Sequence, residues 1–253
     1  MLLWIPTKGI HNFPRNIIYN QLYCPFQKED SLKNYVIHLE STFQRYADNE
    51  NAFQMKRYMK NRFEFFGIPS PLRKEITKPF LRKENLPPIS SIKDISSQLW
   101  LKPQREFQYF TMELLKKFLK QIEPNFIFHF EYLITTKSWW DTVDFTAANL
   151  VGTHLLNHPK LLIPTTREWV ESNNMWLQRT AILFQLKYKE KTDTKLLFEY
   201  IKMHSNSKEF FIQKAIGWAL REYSKTNPKT VVDFVYAHDL SNLSRREALK
   251  RIT

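Results

Sequence analysis

The sequence predicts an all-α protein, and the spacing of its helices predicts an α-solenoid. Glycine accounts for only 4 of the 253 residues, which is too few for the many tight turns of a β-sandwich or barrel. Apolar residues recur with helical spacing along most of the chain. Four similar apolar blocks also follow one another at intervals of 33, 37 and 35 residues. Helix pairs repeated at such intervals are typical of α-solenoids.

Residues 1–30 differ from the rest of the chain because they show no sustained hydrophobic period. They contain Pro6, Pro14 and Pro25, and proline interrupts both helices and strands. We therefore predict an irregular N-terminal extension over residues 1–30 and a helical repeat domain over residues 31–253.

Helical periodicity begins at Ser31. The first apolar stripe follows the i, i+3, i+4 rule: Leu32, Tyr35, Val36, Leu39, Phe43 and Tyr46. Ser70 and Pro71 predict a helix start, with serine as the N-cap and proline at the first helical position. Further prolines fall between periodic segments and predict other helix starts: Pro124, Pro159, Pro164 and Pro228. The pattern gives roughly eleven or twelve helices and no strand.

The four repeated blocks support the solenoid. Their sequences are REFQYFTMELL (105–115), SWWDTVDFTAA (138–148), MWLQRTAILFQL (175–186) and FFIQKAIGWALR (210–221), aligned on Gln108, Asp141, Gln178 and Gln213. Each block is almost continuously apolar, and each is followed by a second helical segment. A plain helical bundle with chance similarity is the alternative, and the regular spacing favours the solenoid.

Composition narrows the possible functions. The chain carries 38 Lys and Arg against 25 Asp and Glu, a net charge of +13, and this excess points to an anionic partner, with nucleic acid first. No glycine-rich phosphate loop is present, and we predict no cofactor. Cys24 is the single cysteine and no H-E-x-x-H motif is present, so we predict no metal. Since no apolar run approaches membrane-spanning length, we expect a soluble, cytoplasmic protein.

The last block carries a row of cations around an aromatic residue. Lys214, Trp218 and Arg221 are spaced i, i+4 and i+7 and share one helical face. Such a row suits the DNA backbone, with a flat surface offered to a base or sugar. Alternatively, Trp218 belongs to the core and the two cations extend past it to solvent. The spacing leaves both interpretations open.

Asp144 and Arg179 are isolated charges in apolar surroundings. Asp144 follows Trp140 by one helical turn within the segment VDFTAANLVG, where a carboxylate is costly unless it is paired or functional. Arg179 is the one charge between Met175 and Leu186. The two side chains could form a structural ion pair, or Arg179 could bind a DNA phosphate.

Several motifs together resemble a known family. They are RYMKNRFEFFGIPSPLR (57–73), LITTKSWWDTVD (133–144), NMWLQRTAILFQLKYK (174–189), SKEFFIQKAIGWALREYSKTNP (207–228) and LSRREALK (243–250). The chain from Leu32 onward resembles the bacterial DNA alkylation repair glycosylases of the AlkD type. This resemblance implies a right-handed α-solenoid of HEAT-like helical repeats.

The resemblance also implies roles for individual residues. Asp144 matches the catalytic carboxylate of the family. Trp140 and Trp218 match the aromatic residues that face the damaged nucleotide. Arg179 matches the arginine that holds the DNA backbone near the lesion, and Tyr58 matches a further DNA contact. Lys214 and Arg221 join these as expected DNA-binding residues.

We therefore expect a monofunctional DNA glycosylase that excises cationic alkylpurines, such as 3-methyladenine and 7-methylguanine, from double-stranded DNA. We expect it to act as a monomer near the nucleoid. The alternative is a non-enzymatic HEAT-like solenoid that binds DNA structures such as branched junctions, with Asp144 as a structural partner of Arg179. A protein-interaction scaffold is a third possibility, which the net charge of +13 disfavours.

Overall fold

The computed structural model describes residues 31–252. Within this range, every element of regular secondary structure is a helix. One isolated β-bridge joins Glu64 and Gln104. The α-helices are α1 (Ser31–Arg45), α2 (Asn49–Tyr58), α3 (Ser70–Thr77), α4 (Ile92–Leu101), α5 (Arg105–Phe118), α6 (Ile127–Thr135), α7 (Trp140–Phe145), α8 (Gly152–Asn157), α9 (Pro159–Glu171), α10 (Met175–Leu183), α11 (Thr194–Met203), α12 (Phe210–Tyr223), α13 (Pro228–Ala237) and α14 (Asn242–Leu249). The all-α prediction is confirmed. None of these helices is long and apolar enough to span a membrane. The predicted extension, residues 1–30, lies outside the described range and stays a prediction.

Two predicted helix starts are wrong in detail. Ser70 is the first residue of α3, and the extended Pro69 (φ −58°, ψ 147°) takes the cap position without any side-chain hydrogen bond. Pro164 lies inside α9, because Pro159 already begins that helix five residues earlier. The other prolines are confirmed at helix starts, as the first residue of α9, of α13 and of the short 3-10 turn before α6.

The chain forms two compact units that divide at Phe110 and Thr111, within α5. In the first unit, the buried Glu106 holds the segment that follows α2. Its carboxylate accepts hydrogen bonds from the backbone N–H groups of Phe66, Gly67 and Ile68, at 3.1, 3.0 and 3.2 Å. Burial raises the pKa of Glu106, and these backbone donors oppose that shift.

The second unit arranges its helices in two layers. One layer contains α7, α10, α12 and α14, and α7 continues through a π-helical turn (Thr146–Val151) into α8. The other layer contains α6, α9, α11 and α13. Trp169 of α9 donates its indole N–H to Glu131 of α6 at 3.0 Å, and Phe198 of α11 stacks on Phe234 of α13 with ring centroids 4.0 Å apart. Successive helices therefore pack in series, as the predicted repeats require.

A glycine allows the first layer to pack closely. A Cβ atom at Gly152 would lie only 2.3 Å from the carbonyl oxygen of Phe184, just beyond α10. The hydroxyl of Tyr188 donates to the carbonyl of Gly152 at 2.7 Å and fixes the same approach. This contact brings the helix that carries Asp144 beside the helix that carries Arg179.

Replacement of Gly152 by alanine should separate these two helices. The added methyl group would meet a backbone carbonyl, which cannot rotate away as a side chain can. We expect a loss of about 1–3 kcal/mol in the free energy of unfolding, the range for an overpacked core. Urea denaturation measures this loss, and Leu156→Ala on the exposed side of α8 is the control. Equal, small losses in both variants would contradict the close-packing argument.

Candidate functional site

An ion pair between Asp144 and Arg179 forms the centre of the site. Asp144 lies in the last turn of α7, and Arg179 lies in the middle of α10. The Arg179 Nε atom donates to Asp144 Oδ1 at 2.7 Å, and Nη2 donates to Oδ2 at 2.9 Å. The two side chains are only 14% and 5% exposed. The structure therefore contains the ion pair that was one of the two interpretations of these isolated charges.

Arg179 also reaches a third helix. Its Nη1 atom donates to the backbone carbonyl of Phe211 in the first turn of α12, and its guanidinium lies 5.9 Å from the centre of the Phe211 ring. All three guanidinium nitrogens thus have an acceptor within the protein. The predicted contact between Arg179 and DNA stays a prediction, and the structure adds a definite role in orienting Asp144.

The environment of Asp144 acts on its pKa in two directions. Burial raises the pKa of the carboxyl group above the usual aspartate value, and the nearby charge of Asp141 adds to this. The charge and the two hydrogen bonds of Arg179 lower it. Each carboxylate oxygen still has a lone pair that Arg179 does not occupy. The arrangement can therefore present a fixed negative charge to a cation placed against it.

Three aromatic rings pack against one another beside the site, and one of them, Phe211, contacts Arg179. Trp139, Trp176 and Phe211 have ring centroids 5.0 to 5.8 Å apart and lie at the N-terminal ends of α7, α10 and α12. These three residues were not predicted from the sequence, although the repeat alignment contains the signal: each lies two residues before an aligned position. Because they occupy equivalent repeat positions, helix stacking brings them together.

Trp140 and Trp218, the predicted lesion-facing residues, are both half-buried. Trp140 is the first residue of α7, one turn before Asp144, so the two side chains lie on one helical face. Trp218 lies in α12 and packs in part against the core that α10, α11, α12 and α13 share. Both side chains are thus partly accessible, and the two interpretations of Trp218 stay open. Their contact with damaged DNA stays a prediction.

Glu247 of α14 pairs with both cations of the predicted row. Its carboxylate lies 3.0 Å from Lys214 Nζ and 2.5 Å from Arg221 Nη1. Burial alone would raise the pKa of Glu247, but hydrogen bonds and charges from Lys214 and Arg221 hold it below the usual value. The pairing with Glu247 was not predicted from the sequence, because Glu247 lies 26 residues beyond Arg221 in the chain. DNA binding by Lys214 and Arg221 stays a prediction.

Tyr58 belongs to the first unit. It is the last residue of α2, and its side chain is exposed. Lys60 and Asn61 follow with φ angles of 57° and 56°, so the chain turns sharply directly after Tyr58. Its predicted DNA contact stays a prediction.

Within residues 31–252, no group of three or more histidine, cysteine, aspartate or glutamate side chains is placed to hold a metal ion.

Comparisons with known proteins identify relatives of this chain. A family model described as DNA alkylation repair enzyme matches residues 39–252. A solved structure from Enterococcus faecalis, described as a predicted DNA alkylation repair enzyme, superposes with a TM-score of 0.77 and 34% sequence identity. The match covers 82% of this chain and 97% of that chain. Comparison with the curated proteins gives no match.

Replacement of Arg179 by methionine should destabilise the protein, because it leaves the Asp144 carboxylate in a largely buried place without a partner. We expect a loss of about 3 kcal/mol in the free energy of unfolding, near the lower end for a broken buried ion pair. Arg167→Met is the matched control, since Arg167 pairs with Glu199 between α9 and α11 at a more exposed place. Urea denaturation compares the two losses. A larger loss at Arg167 would contradict the central place given to the Asp144 pair.

Proposed function

The chain belongs to the family of DNA alkylation repair enzymes, and on that basis we propose that it is a monofunctional DNA glycosylase that releases cationic alkylpurines from double-stranded DNA. The observation that carries the proposal is the Asp144 carboxylate, which Arg179 holds in one orientation on the same helical face as Trp140. The expected substrates are 3-methyladenine and 7-methylguanine nucleotides.

The chemistry of these lesions fits a site built around one carboxylate. An alkylated purine of this kind already carries a positive charge, so its glycosidic bond is weakened and the base leaves without a proton from an acid. The sugar left behind develops positive charge at C1′. A negative charge fixed beside that carbon stabilises the cation, and the same carboxylate can orient the attacking water.

Arg179 is the positioning residue in this proposal. Two parallel N–H donors fix both oxygens of Asp144, so the carboxylate does not have to reorient when charge develops. The guanidinium also favours the ionised form of the carboxyl group. Arg179 in turn is held by the Phe211 carbonyl and by the ring beneath it.

Trp140 and Trp218 supply the aromatic faces of the proposed site. An indole ring attracts a cation through its negative face, by about 0.5–2 kcal/mol depending on exposure. Both the charged base and the developing sugar cation would gain from such a contact. The half-buried state of both rings supports this role, because it leaves part of each ring accessible.

Double-stranded DNA is the proposed partner, with Arg179, Tyr58, Lys214 and Arg221 as the proposed contacts. The net charge of +13 supports binding to the phosphate backbone. We also propose that the protein acts as a monomer and is located in the cytoplasm, near the nucleoid.

A non-enzymatic DNA-binding protein is the second candidate function. The observation that favours it is the Asp144–Arg179 pair itself, since a structural role would account for both charges. The two candidates differ in what the negative charge of Asp144 does, and that difference can be measured.

Replacement of Asp144 by asparagine keeps the size of the side chain and removes its negative charge. If the charge stabilises the sugar cation, base release from methylated duplex DNA should slow by ~10²–10³-fold, and DNA affinity should change little. Single-turnover base release measures the rate, and Asp141→Asn on the first turn of α7 is the control, with a rate close to that of the wild type. The pH profile adds a check: because burial raises the pKa of Asp144, the wild-type rate should fall on acidification at a higher pH than for an exposed aspartate.

A structural role for Asp144 would give a different result. The Asn variant should lose thermal stability under either role, because Arg179 loses its ionised partner. Under a purely structural role, however, base release by the folded variant at low temperature would match that of the wild type. Absence of base release from the wild type would favour the non-enzymatic candidate.

The range of lesions follows from the proposed mechanism. A neutral base needs a proton from an acid in order to leave, and a carboxylate that must stay ionised to stabilise the sugar cation cannot also donate that proton. We therefore expect release of 3-methyladenine and 7-methylguanine, and no release of uracil, hypoxanthine or 1,N6-ethenoadenine. A panel of defined duplexes, each with one lesion and followed over time, measures this. Efficient excision of uracil or hypoxanthine would contradict the mechanism.

A further inference from the structure

The pair of helices α12 and α14 contains a second concentration of charge outside the Asp144 site. Its members are Lys214 and Arg221 of α12 and Glu247 of α14, which we call the charge triad. Glu247 lies between the two cations, which are two helical turns apart. Among the described residues, neither Asp144 nor Arg179 forms a hydrogen bond or an ion pair with a member of this triad.

Close helix packing places Glu247 where it can reach both cations. Gly217 lies between Lys214 and Arg221 on α12, and a Cβ atom there would be 2.5 Å from the Cβ of Glu247 and 2.9 Å from the carbonyl oxygen of Ser244. The hydroxyl of Ser244 donates to the carbonyl of Gln213 at 2.9 Å. The stem of Glu247 therefore crosses α12 at its one residue without a side chain, so its two oxygens can contact one cation each.

The cations keep donors that Glu247 does not use. Their side chains are 29% exposed for Lys214 and 17% for Arg221, against 13% for Glu247. A lysine has three N–H donors and an arginine has five, and the carboxylate accepts one bond from each. The triad therefore has a net charge of +1 next to Trp218 and can still attract an anion, but the carboxylate repels that anion.

We propose that Glu247 is a built-in competitor of DNA phosphate: its carboxylate occupies the place between Lys214 and Arg221 that a backbone phosphate would otherwise take, and it thereby limits the affinity of the protein for duplex DNA. Carboxylate and phosphate are both acceptors that such cations bind through charge-assisted hydrogen bonds. The inference rests on the proposed function only for its premise that the protein binds duplex DNA.

The salt dependence of duplex binding tests this competition. Each additional phosphate that a protein neutralises steepens the slope of log affinity against log salt by about 0.9. For Glu247→Gln on undamaged duplex, we expect one such step, so that the affinity ratio between 50 and 200 mM salt grows by about 3.5-fold. Affinity at the lower salt concentration should rise as well.

Three further variants separate competition from a general effect of charge. Glu222→Gln makes the same change in net charge on α12, where Glu222 pairs with the exposed Lys225, and it should leave the slope unchanged. Glu247→Asp keeps the charge but shortens the arm, so it can no longer reach both cations, and it should give part of the gain. Lys214→Met should lower the slope more in the Glu247→Gln background than in the wild-type background.

Several results would overturn the proposal. An unchanged slope or a lower affinity in folded Glu247→Gln would do so, and so would an equal gain in Glu222→Gln. If Glu247→Gln does not fold, Glu247→Asp decides the question, and wild-type behaviour in that variant counts against competition. If neither the wild type nor Glu247→Gln binds duplex DNA, the proposal fails together with its premise. If both bind and the wild type releases no base, only the glycosylase proposal fails.

Discussion

The bidentate pair between Asp144 and Arg179 is the interaction on which the candidate site depends. It joins α7 to α10, and through the Phe211 carbonyl it also reaches α12. One guanidinium thus joins three successive helices of one layer. A carboxylate with so little exposure is costly without such a partner, and with it the same carboxylate becomes a fixed charge that a reaction can use. Stability and the proposed catalysis therefore draw on the same contact, which is why the two interpretations of Asp144 are not exclusive.

Two glycines make the charge contacts geometrically possible. Gly152 lets α8 approach the end of α10, and Gly217 lets α14 approach α12. In a chain with only 4 glycines, two thus lie where one helix of the layer meets the next. Close backbone approach shortens the distance that charged side chains must bridge. The short reach of Asp144 to Arg179 and the double contact of Glu247 both follow from it.

The basic composition of the chain overstates how much positive charge is free to meet DNA. Arg179 is engaged by Asp144, and Lys214 and Arg221 share Glu247. The net charge of +13 attracts a polyanion over a distance of about a Debye length. At contact, the internal carboxylates decide which cations a phosphate can use. Long-range attraction and short-range availability are thus separate properties of this protein.

The sequence alone determined the helical class, the repeat spacing and the residues worth examining. Apolar periodicity, scarce glycine and isolated charges such as Asp144 are local signals. They can be recognised without knowledge of the packing. Helix starts were less secure: Pro69 and Ser70 are both acceptable at a helix N-terminus, and Pro164 resembles a start although α9 already runs through it. Only the tertiary structure decided the partners. Asp144 and Arg179 are 35 residues apart, and Arg221 and Glu247 are 26 residues apart, so nothing in the spacing of either pair identifies it. Such pairs exist because neighbouring helices pack at a particular distance and rotation, which the whole layer sets together.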